Sequence, residues 1–156
     1  MLLRTILLPT DFSECAECAL PYAADFARQA GARLLCLHVV EPTVPAVGYG
    51  AAGEPLPPAD LLAGQTEAAA AGELPRLAAR GECAGLEVEE VVAHGEAASE
   101  IVRVARERGC DLIVISSRGR TGLGRMLFGS TAESVVRHAH CPVLVVKPQP
   151  QPSDGD

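Results

Sequence analysis

The residues best suited to chemistry lie in a glycine- and hydroxyl-rich loop within residues 111–148. An apolar run at 112–115 leads into the loop, and the loop ends at Gly129-Ser130-Thr131, where a helical pattern begins. Backbone N–H groups in the first turn of a helix have no intrahelical acceptor, so they can hold a phosphate group. The arrangement therefore predicts an anion site at the start of this helix.

Three arginines add positive charge to the same loop. Arg118, Arg120 and Arg125 stand in a stretch without any acidic residue, although the chain as a whole has a formal net charge of −7. Guanidinium groups match the geometry of phosphate oxygens, which favours an anionic ligand. A solvated loop is the alternative for these arginines, and a plain N-cap role is the alternative for Ser130.

Composition excludes several classes of protein. The 156 residues amount to one domain, and 48% of them are hydrophobic, yet no run approaches the roughly 20 apolar residues of a membrane span. The acidic balance argues against nucleic-acid and anionic-membrane binding. The six cysteines do not form a small disulfide framework, and several lie in or beside apolar runs, which indicates a reducing compartment. We therefore expect a cytoplasmic protein.

Two clusters of sulfur and imidazole side chains have competing interpretations. Cys15 and Cys18 form a Cys-x-x-Cys at the start of a predicted helix, where a helix N-terminus would lower a thiol pKa and favour redox chemistry. Packing of two small residues one turn apart is the favoured interpretation. His138, His140 and Cys141 could suggest a metal site, but an interaction of the histidines with a helix end is favoured.

Catalysis finds little support in the sequence. There is no Gly-x-x-x-x-Gly-Lys-Ser/Thr loop, and the only lysine is Lys147. No nucleophile elbow appears either. We predict that the protein is not an enzyme.

The chemistry-bearing loop belongs to an alternation of strands and helices. Strands are predicted at 5–8, 33–40, 87–93, 111–116 and 143–146, and helices at 11–31, 59–80, 97–108 and 130–138. In the first helix, Asp11 or Ser13 is the predicted cap, with Glu14 completing a capping box, and Pro21 is expected to kink the helix. The proline-rich stretch 41–60 is expected to be functional or mobile.

Such an alternation predicts parallel pairing with right-handed crossovers. The expected fold is α/β: an open doubly wound five-stranded parallel sheet with helices on both faces, Rossmann-like. Residues 1–148 form one predicted domain, and 149–156 a disordered tail. Ligands of such sheets bind beyond the carboxyl ends of the strands, where the strand order reverses.

The last predicted strand is apolar on both faces and should lie at an edge of the sheet. Exposed apolar edges promote aggregation unless they are covered. Pairing with the same strand of a second copy would cover it by two-fold symmetry. The predicted dimer interface consists of Val143, Leu144, Val145 and Val146.

Several segments, in this order along the chain, resemble the universal stress protein family. They are Leu8-Pro9-Thr10-Asp11-Phe12-Ser13, His38-Val39-Val40, Ser117-Arg118-Gly119-Arg120-Thr121-Gly122-Leu123, Gly129-Ser130 and Cys141-Pro142-Val143-Leu144-Val145-Val146. The resemblance covers about residues 3–148. It implies the strand order 3-2-1-4-5, a homodimer through the last strands and, in one branch of the family, an ATP site.

The ATP-binding branch has a pattern of Gly, two residues, Gly, nine residues, then Gly followed by Ser or Thr. Gly119 and Gly129-Ser130 match the second and third glycines, whereas Ser116 stands in the place of the first. A serine there either crowds the site or supplies a hydrogen bond. The resemblance thus implies a dimeric stress-response or signalling module that binds ATP or AMP with Mg²⁺, with slow ATP hydrolysis left open as a side activity. The alternative is a dimeric interaction protein of the same fold that binds no nucleotide.

The resemblance also implies a role for each site residue. Phosphates would bind at the start of the last helix and to the arginines, beside a tight turn at Gly119. Asp11 would hold Mg²⁺ through the nucleotide, with helix capping as its alternative role. Pro9, Thr10 and Val39 would line the adenine and ribose pocket. The predicted site comprises Pro9, Thr10, Asp11, Val39, Ser116, Arg118, Gly119, Arg120, Gly129, Ser130 and Thr131.

Overall fold

The structure, a computed structural model, describes residues 2–42, 59–119 and 128–148. The strands are β1 (Thr5–Pro9), β2 (Arg33–Val40), β3 (Val88–His94), β4 (Leu112–Ser116) and β5 (Val143–Val146). The α-helices are α1 (Glu14–Glu17), α2 (Leu20–Ala30), α3 (Ala59–Ala78), α4 (Ala97–Glu107) and α5 (Ser130–His138), and a 3-10 helix spans Gly81–Cys83. None of these helices is both long and apolar enough to cross a membrane.

The five strands form one sheet in the order β3-β2-β1-β4-β5, with every pair parallel. This confirms the predicted fold class and strand order. β1 lies in the centre, paired with β2 on one side and β4 on the other, so chain order reverses direction at this strand. Asp111 ties the start of β4 to β1, because its Oδ2 accepts hydrogen bonds from the N–H groups of Arg4 and Thr5, at 2.8 and 3.0 Å.

Alternating side chains of the strands build a core on each face of the sheet. On one face, Ile6 and Val114 belong to the core that packs against α2 and α3. On the other face, Leu7 and Ile113 belong to the core that packs against α4 and α5. Because the central strands are covered on both sides, they are apolar along their whole length.

The single kinked helix predicted for 11–31 is wrong, because the structure has two helices there. Ser13 caps the short α1, where its side chain accepts a hydrogen bond from the N–H of Ala16. The predicted capping box from Asp11 to Glu14 does not form, since Oδ1 of Asp11 accepts hydrogen bonds from Ser13 instead. A proline is well placed in a first helical turn, where no backbone donor is lost, and Pro21 lies in the first turn of α2.

Other predicted boundaries shift by a residue or two, and three elements agree at both ends. β2, α5 and β5 begin and end as predicted. Gly31 ends α2 with a φ of 64°, a left-handed conformation that glycine adopts without strain. Most of the 41–60 stretch and the predicted tail at 149–156 lie outside the described residues.

Candidate functional site

A cavity of about 400 Å³ opens at the carboxyl ends of the strands, on the face covered by α4 and α5. Its volume is in the range of small-molecule sites. Every predicted site residue that the structure describes lines it: Pro9, Thr10, Asp11, Val39, Ser116, Arg118, Gly119, Gly129, Ser130 and Thr131. Arg120 and Arg125 lie outside the described residues. The structure thus brings together residues that are more than 100 positions apart in the chain.

Unequal strand lengths create the opening. The pairing of β1 with β2 ends at Pro9 and Leu37, whereas β2 continues with β3 as far as Val40 and His94. The last residues of β2 therefore extend past the end of β1, and their β1-facing edge borders the cavity. Such a crevice at the reversal of strand order is the expected ligand position in this kind of sheet.

The turn after β1 forms one wall of the cavity and has an unusual backbone. Phe12 adopts a φ of 61°, a left-handed conformation that is uncommon for a residue with a side chain. Its ring stacks on His38, with 4.5 Å between the ring centroids. The backbone N–H of Phe12 donates to Oγ1 of the buried Thr10, at 3.0 Å. Nδ1 of His38 lies 2.9 Å from the carbonyl oxygen of Thr10, so the turn is held to β2.

Asp11 projects from this turn towards the loop that follows β4. Its Oδ1 accepts hydrogen bonds from the N–H and Oγ of Ser13, at 3.0 and 2.5 Å. Its Oδ2 would lie 2.8 Å from a Cβ atom added at Gly119. A side chain at 119 would therefore force the Asp11 carboxylate to move.

The loop after β4 is bound to the start of α5 through its backbone. The N–H of Ser117 donates to the carbonyl oxygen of Val146, and the N–H of Gly129 donates to the carbonyl oxygen of Ser117, both at 2.7 Å. The Oγ of Ser116 donates to the carbonyl oxygen of Arg118. The serine that replaces the first motif glycine thus uses its hydroxyl within the loop itself.

The N-terminus of α5 faces the cavity, and its N-cap residue has no side chain. Gly129 is the N-cap and makes no side-chain hydrogen bond to the helix. The next three residues, Ser130, Thr131 and Ala132, line the cavity, and their N–H groups precede the first intrahelical bond, from Glu133 to Gly129. Together with the positive end of the helix dipole, these donors suit an anion.

The N-terminus of α4, at the other side of the cavity, is occupied by two carboxylates. Oε1 of Glu41 accepts a hydrogen bond from the N–H of Ala97, at 3.0 Å. Glu96 accepts from the N–H groups of Ala98 and Ser99, at 3.2 and 2.8 Å. Hydrogen bonds from Ser99, first from its side chain and then from its backbone, hold the pKa of Glu96 below its ordinary value. The two helix ends beside the cavity therefore differ in charge.

A family model described as the universal stress protein family matches residues 3–147. The chain belongs to this family. It is 36% identical over 146 residues to universal stress protein MJ0531 of Methanocaldococcus jannaschii, covering 94% of this chain and 83% of that protein.

Two solved structures of similar proteins support the same fold. The structure of MJ0577, from the same archaeon, has a TM-score of 0.80 at 29% identity and covers 97% of this chain and 100% of that one. The universal stress protein of Archaeoglobus fulgidus, solved in complex with dAMP, has a TM-score of 0.61 at 26% identity. That alignment covers 93% of this chain and 98% of the A. fulgidus chain.

Sequence reasoning missed several residues of the site in this universal stress protein. His38 appeared only as part of a motif, and Glu41, Ala97 and Ile101 were not considered, yet all four line the cavity. For Glu41 a signal existed. It directly follows the apolar run that ends β2, so a carboxylate stands at the carboxyl end of a strand, where ligands of such sheets bind.

The Cys-x-x-Cys of this universal stress protein lacks the environment of a reactive pair. Cys18 lies at the C-terminal end of α1 rather than at a helix N-terminus, and its Sγ donates to the carbonyl oxygen of Cys15, at 2.9 Å. Burial, with a smaller contribution from Cys15, raises the pKa of Cys18. A redox role would need a lowered thiol pKa. The redox interpretation is therefore wrong for Cys18.

His138, His140 and Cys141 lie close together in the sequence, near the end of α5. The structure explains the position of one of them, His138. Nδ1 of His138 lies 2.8 Å from the carbonyl oxygen of Ser134, in the last turn of the helix. This confirms the predicted interaction of His138 with the helix end. Among the described residues, no group of three or more His, Cys, Asp or Glu side chains is arranged to hold a metal ion.

Proposed function

We propose that this universal stress protein is a stress-response or signalling module that binds an adenine nucleotide, ATP or AMP, in the cavity between α4 and α5. The observation that carries the proposal is the N-terminus of α5, which no described side chain caps and which offers N–H groups and hydroxyls to phosphate. The dAMP complex of the A. fulgidus relative supports the choice of adenine nucleotide.

The two ends of the cavity suit the two ends of such a ligand. The phosphates would bind to Ser130 and Thr131, with the Arg118 guanidinium close by. The base and ribose would lie against the wall formed by Pro9 and Val39. This orientation matches anionic groups with helix donors and an aromatic base with apolar side chains.

Asp11 fits the role of a magnesium ligand. Ser13 orients its carboxylate, and the residue borders the same cavity as the proposed phosphate donors. Mg²⁺ commonly takes one or two protein carboxylates and completes its shell with phosphate oxygens and water. When bound, the ion would neutralise phosphate charge next to this carboxylate.

We propose binding rather than catalysis as the function. The residues lining the cavity include one histidine, His38, whose Nδ1 is engaged with the Thr10 carbonyl, and they include no lysine. The lysine that reaches the phosphates in P-loop enzymes therefore has no counterpart among the described residues of the cavity. We also propose a cytoplasmic location, because all six cysteines are free thiols.

Thermal unfolding with and without nucleotide tests the proposal. A ligand that binds only the folded state stabilises it by about 2.7 kcal/mol at a hundredfold excess over the dissociation constant. We expect millimolar Mg-ATP or AMP to raise the melting temperature, and sodium chloride of equal ionic strength to leave it unchanged. An unchanged melting temperature at several millimolar of both nucleotides would contradict the proposal and favour a dimeric interaction protein that binds none.

We further propose a homodimer formed through β5. The N–H of Ile113 donates to Pro142 and the N–H of Ser117 donates to Val146. Because parallel pairing uses alternate residues, Val143 and Val145 direct their backbone groups to the open edge of the sheet. These two valines are only half-buried, so a second copy would cover both their side chains and their backbone groups.

Val145→Pro tests this interface, since it removes an edge-facing N–H and leaves the pairing with β4 intact. We expect the variant to sediment as a monomer where the wild-type protein sediments as a dimer. Val145→Thr, which keeps the N–H and the branched side chain, should remain a dimer. A dimer that persists in Val145→Pro would show that the copies associate elsewhere.

A further inference from the structure

Glu41 lies at the end of the cavity opposite the proposed phosphate donors. It directly follows β2, whose last residues, Leu37 to Val40, also line the cavity. Its Oε1 accepts a hydrogen bond from the N–H of Ala97, at 3.0 Å, which fixes the carboxylate against the start of α4. Among the described residues, its Oε2 has no hydrogen-bond partner.

The carboxylate of Glu41 is exposed, so a ligand in the cavity can reach it. Val40, Ala97 and Ile101 line the cavity beside it. A ligand that fills this end therefore meets apolar side chains and one strong acceptor, and that acceptor carries a negative charge. An ionised carboxylate accepts hydrogen bonds from N–H groups and donates none, so it favours an amino group and disfavours a carbonyl oxygen.

We propose that Glu41 selects the base, by accepting a hydrogen bond at Oε2 from the exocyclic amino group of adenine. This inference rests on the proposed nucleotide-binding function and adds the determinant of base specificity to it. The fixed Oε1 holds the side chain in place, so little rotational freedom is lost when the base binds. Glu41 is a binding residue in this proposal and takes no part in phosphate recognition.

Capping of α4 is the competing explanation for Glu41, and the same helix supplies a matched control. Glu96 also accepts hydrogen bonds from the first turn of α4, through Ala98 and Ser99. Unlike Glu41, it is not among the residues that line the cavity. Substitutions at the two positions therefore separate capping from contact with the ligand.

The experiment compares Mg-ATP with the magnesium complex of purine riboside 5′-triphosphate, which lacks only the 6-amino group. Dissociation constants are measured by calorimetry for the wild-type protein, Glu41→Gln and Glu96→Gln. The wild-type protein should bind Mg-ATP about tenfold more tightly than the purine riboside triphosphate complex. A hydrogen bond to a charged group contributes about this much to affinity. Glu41→Gln keeps an amide oxygen for Ala97 and turns an NH₂ group to the base, so its preference for ATP should disappear. Glu96→Gln should retain the tenfold preference.

Two outcomes overturn the inference while leaving nucleotide binding in place. One is equal affinity of the wild-type protein for the two nucleotides. The other is a preference for ATP that survives in Glu41→Gln, or that falls equally in Glu96→Gln. If the wild-type protein binds neither nucleotide, the proposed function fails and the inference fails with it. Unfolding curves of both variants confirm that each is folded before its affinities are compared.

Discussion

The two helix N-termini that flank the cavity, those of α4 and α5, have the same backbone geometry and opposite chemistry. At α4, the carboxylates of Glu41 and Glu96 take the hydrogen bonds of the first turn. At α5, the N-cap is Gly129, which has no side chain to offer. Both helices carry the positive end of a dipole at this point. The capping residue therefore decides whether a helix end attracts an anion or is already neutralised.

This difference polarises the cavity. An anionic group is favoured at α5, whereas the negative charge of Glu41 disfavours one at α4. A ligand with one anionic end and one apolar, donor-bearing end fits in a single orientation. The contrast thus explains how a site bordered by two helix N-termini could distinguish a nucleotide from a molecule with anionic groups at both ends.

Gly129→Asp gives α5 a carboxylate at its N-terminus, as α4 already has. Of the predicted changes, it should have the largest effect, a loss of affinity for nucleotide. The backbone at 129 has a φ of −72°, which any residue adopts, and an added Cβ would meet its nearest atom at 3.5 Å, an ordinary contact. The new carboxylate should cap α5 as Glu96 caps α4. We expect the affinity for AMP to fall by at least about 100-fold, because like charges brought together at a binding site cost several kcal/mol. Calorimetry without magnesium measures this, since the new carboxylate then cannot recruit the cation.

Gly129→Asn is the control for Gly129→Asp, since it provides a cap of the same shape without the charge. Its affinity for AMP should stay within about tenfold of the wild-type value. The thermal stability of Gly129→Asp should be equal or slightly higher, because aspartate caps helices at least as well as glycine. Wild-type affinity in Gly129→Asp would mean that the phosphate does not bind at α5.

Glu96→Ala removes one of the two carboxylates from the N-terminus of α4. Its expected effect is on the stability of the protein. Removing a capping side chain should lower the free energy of unfolding by about 1 kcal/mol at pH 7. The pKa of Glu96 is lowered in the folded protein, so its stabilising effect is complete above the unfolded-state value near 4.5. As the pH falls through the lower folded-state pKa, the effect is lost. Urea unfolding at pH 7 and near pH 3 should therefore show a difference between the two proteins that shrinks on acidification.

Glu107→Ala provides the control for Glu96→Ala at the other end of α4. Glu107 pairs with Arg103 on the exposed surface, at 2.6 Å, and such pairs contribute little to stability because solvent screens the charges. We expect it to be less destabilising than Glu96→Ala at pH 7. A Glu96→Ala protein as stable as the wild type at pH 7 would show that the carboxylate does not hold this helix end.

The two helix ends also differ in how well the sequence predicted their part of the site. The α5 side of the site was predictable, because a strand, a glycine-and-hydroxyl loop and a helix start follow one another within one local stretch. β2 and β5 were predicted at both ends because their apolar runs are local and nearly continuous, and the start of α5 was predicted because it directly follows the loop. The α4 side was not predicted, because Glu41 and Ala97 are separated by 56 positions and only the folded sheet brings them together.

The break between α1 and α2 shows a second limit of periodicity. Ala16, Ala19 and Ala23 continue the helical spacing across the break, so the pattern alone predicts one helix. Pro21 carried the relevant signal, because proline is favoured in the first turn of a helix. The structure resolves the ambiguity in favour of two helices, which leaves the turn after β1 free to orient Asp11.

Ser116→Gly, which restores the motif glycine, tests whether binding at α5 depends on the side chain at 116. It should have the smallest effect on nucleotide affinity. The hydroxyl of Ser116 donates to the Arg118 carbonyl, and its backbone is paired in register with Val146. If α5 binds phosphate through backbone N–H groups, the side chain at 116 contributes little, and we expect the affinity for Mg-ATP to change by less than about threefold. Ser116→Ala, measured in the same way by calorimetry, should behave alike. Binding that tightens tenfold or more in Ser116→Gly would instead show that the serine obstructs the ligand, because only the loss of its side chain could open that space.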